Sequence, residues 1–155
     1  MAQTTSAMPM TAGYLGISTD GSSWTDISGH FMQVSWSGGS RNSGAAYTAD
    51  GDTAIIKAGK RTPLTVTASV VYTETASEPF DTAMDQYETA GGGDLYLRWS
   101  PGGGDSGDLG YTTTAGIVKE AAYPQGAVET GEPIPCAIVV ECASITRAAI
   151  GTAGW

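Results

Sequence analysis

The residues best able to do chemistry in this 155-residue chain lie in its glycine-rich loops. Gly102, Gly104 and Gly107 have the spacing G-x-G-x-x-G, which holds a pyrophosphate when a helix follows and points its amides at the anion. Here Asp108-Leu109-Gly110-Tyr111-Thr112-Thr113-Thr114 follows, a run that will not start that helix. Gly104-Asp105-Ser106-Gly107 matches the tetrad around a trypsin-like nucleophile, which needs a histidine base and an orienting acid as well. The one histidine, His30, sits in Ser28-Gly29-His30-Phe31 and lacks that histidine motif, so it reads as an exposed residue at a strand start. Gly59-Lys60-Arg61-Thr62 has neither the spacing of a phosphate loop nor its hydroxyl directly after lysine.

The remaining polar groups give no catalytic set. Asp50 and Asp52 could touch a calcium ion, but no further ligands follow at loop spacing. Cys136 and Cys142 fall on one expected strand, where six residues at about 3.3 Å each hold their α-carbons near 20 Å apart, beyond disulfide reach. They read as small buried apolar residues. Lys57, Lys60 and Arg61 form the one basic cluster, read as a solvated loop base in a free monomer and as a contact for an acidic neighbour in an assembly. No acid, base and nucleophile trio can be assembled, so the expectation is a non-enzyme without cofactor or metal.

The elements that carry these loops are mainly strands. Hydrophobic residues make up 41% of the chain and charged ones only 15%, with 22 glycines, the profile of a turn-rich β protein. Leu64, Val66, Ala68, Val70 and Tyr72 alternate with Thr65, Thr67 and Ser69, which predicts a half-buried strand. Ser77 is placed to cap a short helix with Pro79 in its first turn, and Phe80, Ala83, Met84 and Tyr87 form its apolar stripe. Phe80, Met84 and Tyr87 are expected to pack the helix onto the sheet, with Phe80→Ala costing about 3 to 5 kcal/mol. Gly91-Gly92-Gly93 ends the helix, and Leu95, Leu97 and Trp99 mark a strand that stops at Pro101.

Elsewhere, residues 1–12 read as a loose arm. Tyr14 to Ser18 and Trp24 to Ile27 read as a hairpin around Asp20-Gly21, and Phe31 to Ser37 as a strand with Met32, Val34 and Trp36 on one side and Gln33, Ser35 and Ser37 on the other. Tyr111 to Tyr123 is expected as one long strand, residues 129–135 as a loop, and Cys136 toward Thr146 as a strand with Cys136, Ile138, Val140 and Cys142 inward. Residues 148–155 read as a small-residue tail. The stretch 38–62 is too long for an ordinary loop. Its segments Ala45 to Thr48 and Thr53 to Lys57 flank Asp50-Gly51-Asp52 as the arms of a long hairpin, exposing Tyr47, Ile55 and Ile56. Two readings stay open: a ribbon reaching for a partner, or a hairpin folded over its own domain.

A formal charge of −9, with seven basic residues against sixteen acids, argues against a nucleic-acid clamp, though not against a surface that DNA slides past. No apolar run approaches the roughly 20 residues of a membrane span, and Met1 to Gly13 lacks a signal-peptide pattern, so synthesis and retention in the cytoplasm are expected.

In order along the chain, Trp36 to Arg61, Thr62-Pro63-Leu64-Thr65-Val66-Thr67 through Thr73-Glu74, Leu95-Tyr96-Leu97-Arg98-Trp99-Ser100-Pro101, Thr113 to Ile117 and Tyr123-Pro124-Gln125-Gly126 resemble the major tail proteins of long-tailed bacteriophages, a fold similar to the tube of type VI secretion. The resemblance spans about residues 30 to 147 and implies a single domain over 13–147, a β-sandwich with one flanking helix. Copies would close into hexameric rings whose inner sheets form a barrel. The rings would stack into a tube that passes the genome into the host, with tape-measure, terminator and baseplate-type proteins as further partners and no membrane. Residues 38–62 match the inter-ring loop, with Tyr47, Asp50, Asp52, Ile55, Ile56, Lys57, Lys60 and Arg61 as contacts. Gln33, Ser35, Thr65, Thr67, Ser69, Glu120 and Glu141 are then expected to face the lumen, where acids repel phosphate. The chain would be part of a virion tail, assembled in the host cytoplasm. Competing readings are a carbohydrate-binding β-sandwich using Trp24, Trp36 and Trp99, a tail terminator, and a head decoration protein.

Overall fold

A computed structural model describes residues 7–126 and 131–155. Residues 1–6 of the expected arm and residues 129 and 130 of the expected loop lie outside the described residues. Chain order begins with β1 (Tyr14–Ser18) and β2 (Thr25–Asp26), which pair around the Asp20-Gly21 turn. A 3-10 turn over Ser28–His30 leads into β3 (Phe31–Gly38), followed by β4 (Arg41–Ala46), β5 (Ile55–Arg61) and β6 (Leu64–Val71). The helix α1 (Pro79–Glu88) precedes β7 (Asp94–Ser100), β8 (Leu109–Thr113), β9 (Gly116–Glu120), β10 (Pro135–Cys142) and β11 (Ile145–Ala149).

All pairings are antiparallel, and apart from the β4–β5 ribbon the strands form one sheet in the order β11-β8-β7-β9-β10-β6-β3, with β1 and β2 added beside β7. The sheet folds over at β7, which pairs with β8 through Arg98 and Trp99 and with β9 through Asp94 and Leu95. The two halves thus share one core, in which Leu15, Ile17, Leu95 and Leu97 from one half meet Val66, Ala68, Val70, Ile138 and Val140 from the other. The fold is mainly β with one α-helix among the described residues. Its path does not close into a barrel, because β3 and β11, the two ends, do not pair with each other.

Tertiary hydrogen bonding breaks both long strands expected from the sequence. The run from Tyr111 divides into β8 and β9 at Thr114-Ala115, and the run from Cys136 divides into β10 and β11 at Ala143-Ser144. The two corners are clamped together: the Thr114 amide donates to the Ser144 carbonyl at 3.0 Å, and the Ser144 amide to the Thr114 hydroxyl at 3.2 Å. Gly116 lets β9 lie close against β10 just after this corner, since a Cβ would lie 2.5 Å from Val140 Cγ1 and 2.8 Å from the Glu141 carbonyl oxygen.

The helix cap also differs from expectation. Glu78, without a side-chain cap bond, is the N-cap, and Ser77 takes φ of +67° while its amide donates to Asp81 Oδ2 at 2.7 Å. The acid in the first turn therefore reaches back to the residue before the N-cap and fixes the chain's entry into the helix, while the expected serine cap bond is not made. Ala83 and Met84 enter the core. Phe80 is half-buried, edge-on to Tyr72 at 4.8 Å between ring centroids, and Tyr87 is 41% exposed. Tyr87 is not among the side chains packed on the core, which removes it from the expected packing set. Phe80→Ala is accordingly expected to cost about 2 kcal/mol in urea unfolding, below the range for a fully buried phenylalanine.

The β1–β2 turn is held by one carboxylate. Asp20 Oδ1 accepts from the amides of Ser23 at 2.7 Å and Ser22 at 2.8 Å and from the Ser18 hydroxyl at 2.9 Å. These donors, the Ser23 amide foremost, hold the Asp20 carboxyl well below the usual carboxylate range. Because the folded pKa is depressed, the turn keeps its full contribution above the unfolded value and loses it only as pH falls through the folded one. Carbon-detected NMR should find Asp20 still ionised at about pH 3, where an ordinary aspartate with pKa about 3.9 is mostly protonated; ordinary titration would contradict the turn geometry.

Candidate functional site

The residues expected to face a lumen come from four adjacent strands, β3, β6, β10 and β9. In register, Gln33 lies opposite Ser69, Ser35 opposite Thr67, and Ser37 opposite Thr65. Across the next pairing, Thr65 lies opposite Glu141, Thr67 opposite Val139 and Ser69 opposite Ala137. Glu120 then lies opposite Val139. Since side chains alternate along a strand, Gln33, Ser35, Thr65, Thr67, Ser69, Glu120 and Glu141 share the face turned away from the core. Val66, Ala68 and Val70, on the other face of β6, are fully buried.

Two features of this face were not legible in the sequence. A bulge between Val139 and Val140 leaves Lys119 as the extra residue of β9, and its Nζ lies 2.7 Å from Glu141 Oε2. The Glu141 hydrogen bond and charge raise the Lys119 pKa, and the opposite charges of the pair largely cancel. The expected pair of acids is thus reduced to one unpaired carboxylate, on Glu120. Ile117, opposite Glu141 and 50% exposed, adds an apolar spot.

A second bulge, between Phe31 and Gln33, corrects the apolar side of β3. Phe31 pairs with Val70 and packs on the core, whereas Met32 is the extra residue and is 56% exposed. Val34 keeps its expected inward position.

Residues 38–62 form the ribbon of β4 and β5, a two-stranded sheet of its own in which every strand residue is exposed. The folded-back alternative is thereby excluded. The paired arms start nearer the domain than expected, at Arg41 opposite Arg61, and run to Ala46 opposite Ile55. Beyond them the tip carries Tyr47, 71% exposed, with Asp50 and Asp52; Ile56 is 68% exposed beside it. Lys57, Lys60 and Arg61 lie along the stem. The base is fixed by the Thr62 amide donating to the Ser40 carbonyl at 2.8 Å, and Gly38, at φ of +84°, passes where a Cβ would meet the Pro63 carbonyl at 2.3 Å.

The aromatic residues considered for a sugar platform do not offer three open rings. Trp99 is 5% exposed and stacks on Tyr111 at 5.5 Å. Trp24 lies over the Arg98 guanidinium at 4.5 Å, which Tyr14 and Trp155 also flank at 5.2 and 4.9 Å. Arg98 donates to the Tyr14 hydroxyl at 2.8 Å. Trp155 is thereby drawn onto the domain, its amide donating to the Gly104 carbonyl at 3.1 Å, so of the expected tail Ala148 and Ala149 complete β11 and residues 150–155 fold back onto the domain. Of the three tryptophans only Trp36 is well exposed, at 64%. Both cysteines are buried in the core, and burial pushes their thiols up. His30 is partly exposed just before β3, with Nε2 at 3.9 Å from Glu78 Oε2.

No protein-family model matches the chain, and no curated protein matches it. Among solved structures it is similar to a chain of the sheath/tube terminator of an extracellular contractile injection system, PVC, in the extended state, with a TM-score of 0.67, 12% identity, and coverage of 95% of this chain and 100% of that one. A chain of the PVC sheath-tube complex matches with a TM-score of 0.65 and 11% identity over 96% of this chain and 100% of that one. The tube-terminating cap of the anti-feeding prophage matches with a TM-score of 0.65 and 12% identity over 96% and 95%. The chain therefore has a tail-tube-like fold.

Proposed function

We propose that this protein is a tube-forming component of a phage-type tail, in which six copies close into a ring and the rings stack around a channel for the genome. The observation that carries this reading is the four-stranded polar face, in register from Gln33 across Thr65, Thr67 and Ser69 to Glu141 and Glu120, on the back of an apolar core. A face of hydroxyls and amides with little unpaired charge stays wet and does not hold phosphate, since strong backbone binding needs clustered Lys and Arg. The ribbon supplies a second surface for contact between rings. In this reading the protein works in the virion tail after assembly in the host cytoplasm, beside tape-measure, terminator and baseplate-type proteins.

A tail-terminator role is the second reading, favoured by the terminator and cap chains among the similar structures. Negative-stain electron microscopy of the purified protein over a range of concentrations separates the two. Stacked rings with a central channel support the tube reading, single rings that never stack support the terminator, and persistent monomers would falsify both.

The polar face makes its own prediction. Glu120→Lys with Glu141→Lys removes the Lys119 ion pair and sets three lysines side by side, a patch that grips DNA. Phage particles carrying both changes should assemble but eject DNA several-fold more slowly in a time course of release. Unchanged ejection would put the lumen on another surface.

A further inference from the structure

The open side of the sheet exposes an apolar groove. Where β3 and β11 fail to pair, Trp36, Leu64, Tyr111 and Ile145 line a cleft of about 330 Å³, with Arg61 and Arg147 at its edge. A closed barrel would have covered these side chains. Trp36 points to the core side of β3, opposite Val66, yet stays 64% exposed because no strand lies over it.

The ribbon beside this groove is polarised. Of the seven basic residues in a chain of charge −9, four (Arg41, Lys57, Lys60 and Arg61) lie on the ribbon stem, and the two ribbon acids, Asp50 and Asp52, lie at the tip with Tyr47. The stem of β4 extends roughly 20 Å, from six residues at about 3.3 Å each, so the tip stands well away from the groove at its own base. An apolar, acidic tip and an apolar, arginine-edged groove at opposite ends of one ribbon are complementary only between molecules.

Resting on the tube reading for the identity of the occupant, we propose that the ribbon tip of one copy docks in the β3–β11 groove of a second copy. Tyr47 and the neighbouring isoleucines cover Trp36, Leu64, Tyr111 and Ile145, while Asp50 and Asp52 meet Arg61 and Arg147. The contact joins two different surfaces, so it propagates from copy to copy and does not end in a closed pair. Charge of opposite sign fixes the direction of docking and rejects tip-on-tip contacts.

The test is a charge exchange. One variant carries Asp50→Arg and Asp52→Arg, a second Arg61→Asp and Arg147→Asp; all four positions are exposed, and circular dichroism verifies that each variant is folded. Sedimentation velocity and electron microscopy then follow assembly of the wild type, each variant alone, and the two mixed. Each variant alone should need more than about tenfold higher concentration to assemble, because like charges face each other across the contact. The mixture should assemble at wild-type concentrations, since each tip then finds a groove of opposite sign. Wild-type rings and stacks that tolerate both variants, or a mixture that stays dispersed, overturn the docking and leave the tube reading standing. Charge-sensitive oligomers without rings or a channel support the docking and overturn the tube. A wild type that stays monomeric at every concentration overturns both.

Discussion

Leu97→Ala is expected to lower the unfolding free energy by about 3 to 5 kcal/mol, the upper part of the range for buried leucines. Leu97 is fully buried on β7, the strand shared by the two halves of the sheet, opposite Ile17 on β1. Its backbone amide donates to the buried Thr113 hydroxyl at 3.0 Å, so the surrounding backbone is pinned and cannot collapse into the space left by the lost side chain. A domain with the usual 5 to 15 kcal/mol of stability would lose a large share of it. Urea unfolding at concentrations below assembly should show the midpoint falling with the slope unchanged. A loss no larger than that of Phe80→Ala would mean that β7 is not the centre of the core.

The second large effect falls on assembly and leaves stability alone. Replacing Ala45–Ile56 by Asn-Gly joins Gly44 to Lys57, which face each other across the ribbon, through a turn suited to a two-residue hairpin. The removed residues are exposed and pair only within the ribbon, apart from the partly covered Gly51 and Ala54 of the tip, so the thermal midpoint should stay within the shift expected for about 0.5 kcal/mol. Stacked assemblies should be lost altogether. If the shortened chain still forms tubes, the ribbon has no part in stacking; if it fails to fold, the ribbon contributes to the domain in a way its exposure does not suggest.

Much of the fold follows from local pattern. The alternation of Leu64, Val66, Ala68 and Val70 with Thr65, Thr67 and Ser69 marks β6 and both of its faces, because a strand has a period of two whatever it pairs with. Pro79 and Gly91-Gly92-Gly93 bracket the helix for reasons of backbone geometry alone. The polar face was readable for the same cause: hydroxyls at every second position of β3 and β6 require a wet side. The exposed ribbon was readable only as one of two alternatives, since a sequence gives the arms of a hairpin and not the direction in which it stands.

What failed to show in the sequence depended on contacts between distant segments. Thr114 and Ser144 break two strands because they bind each other across the fold, and either strand pattern by itself continues through the break. Lys119 and Glu120 both stand on the Glu141 side because a bulge adds a residue to β9, whereas strict alternation would turn one of these neighbours inward. Trp155 gave no sign of its place among Tyr14, Trp24 and Arg98, residues up to 141 positions away.

By itself, then, the sequence determined that the chain is mainly strand, where the one helix lies, and which faces of β6 are apolar and polar, because these rest on covalent geometry and on the hydrophobicity of near neighbours. The tertiary structure decided register, bulges, the two corners and the unclosed seam between β3 and β11, because each is set by hydrogen bonds and packing between segments whose meeting no local pattern encodes.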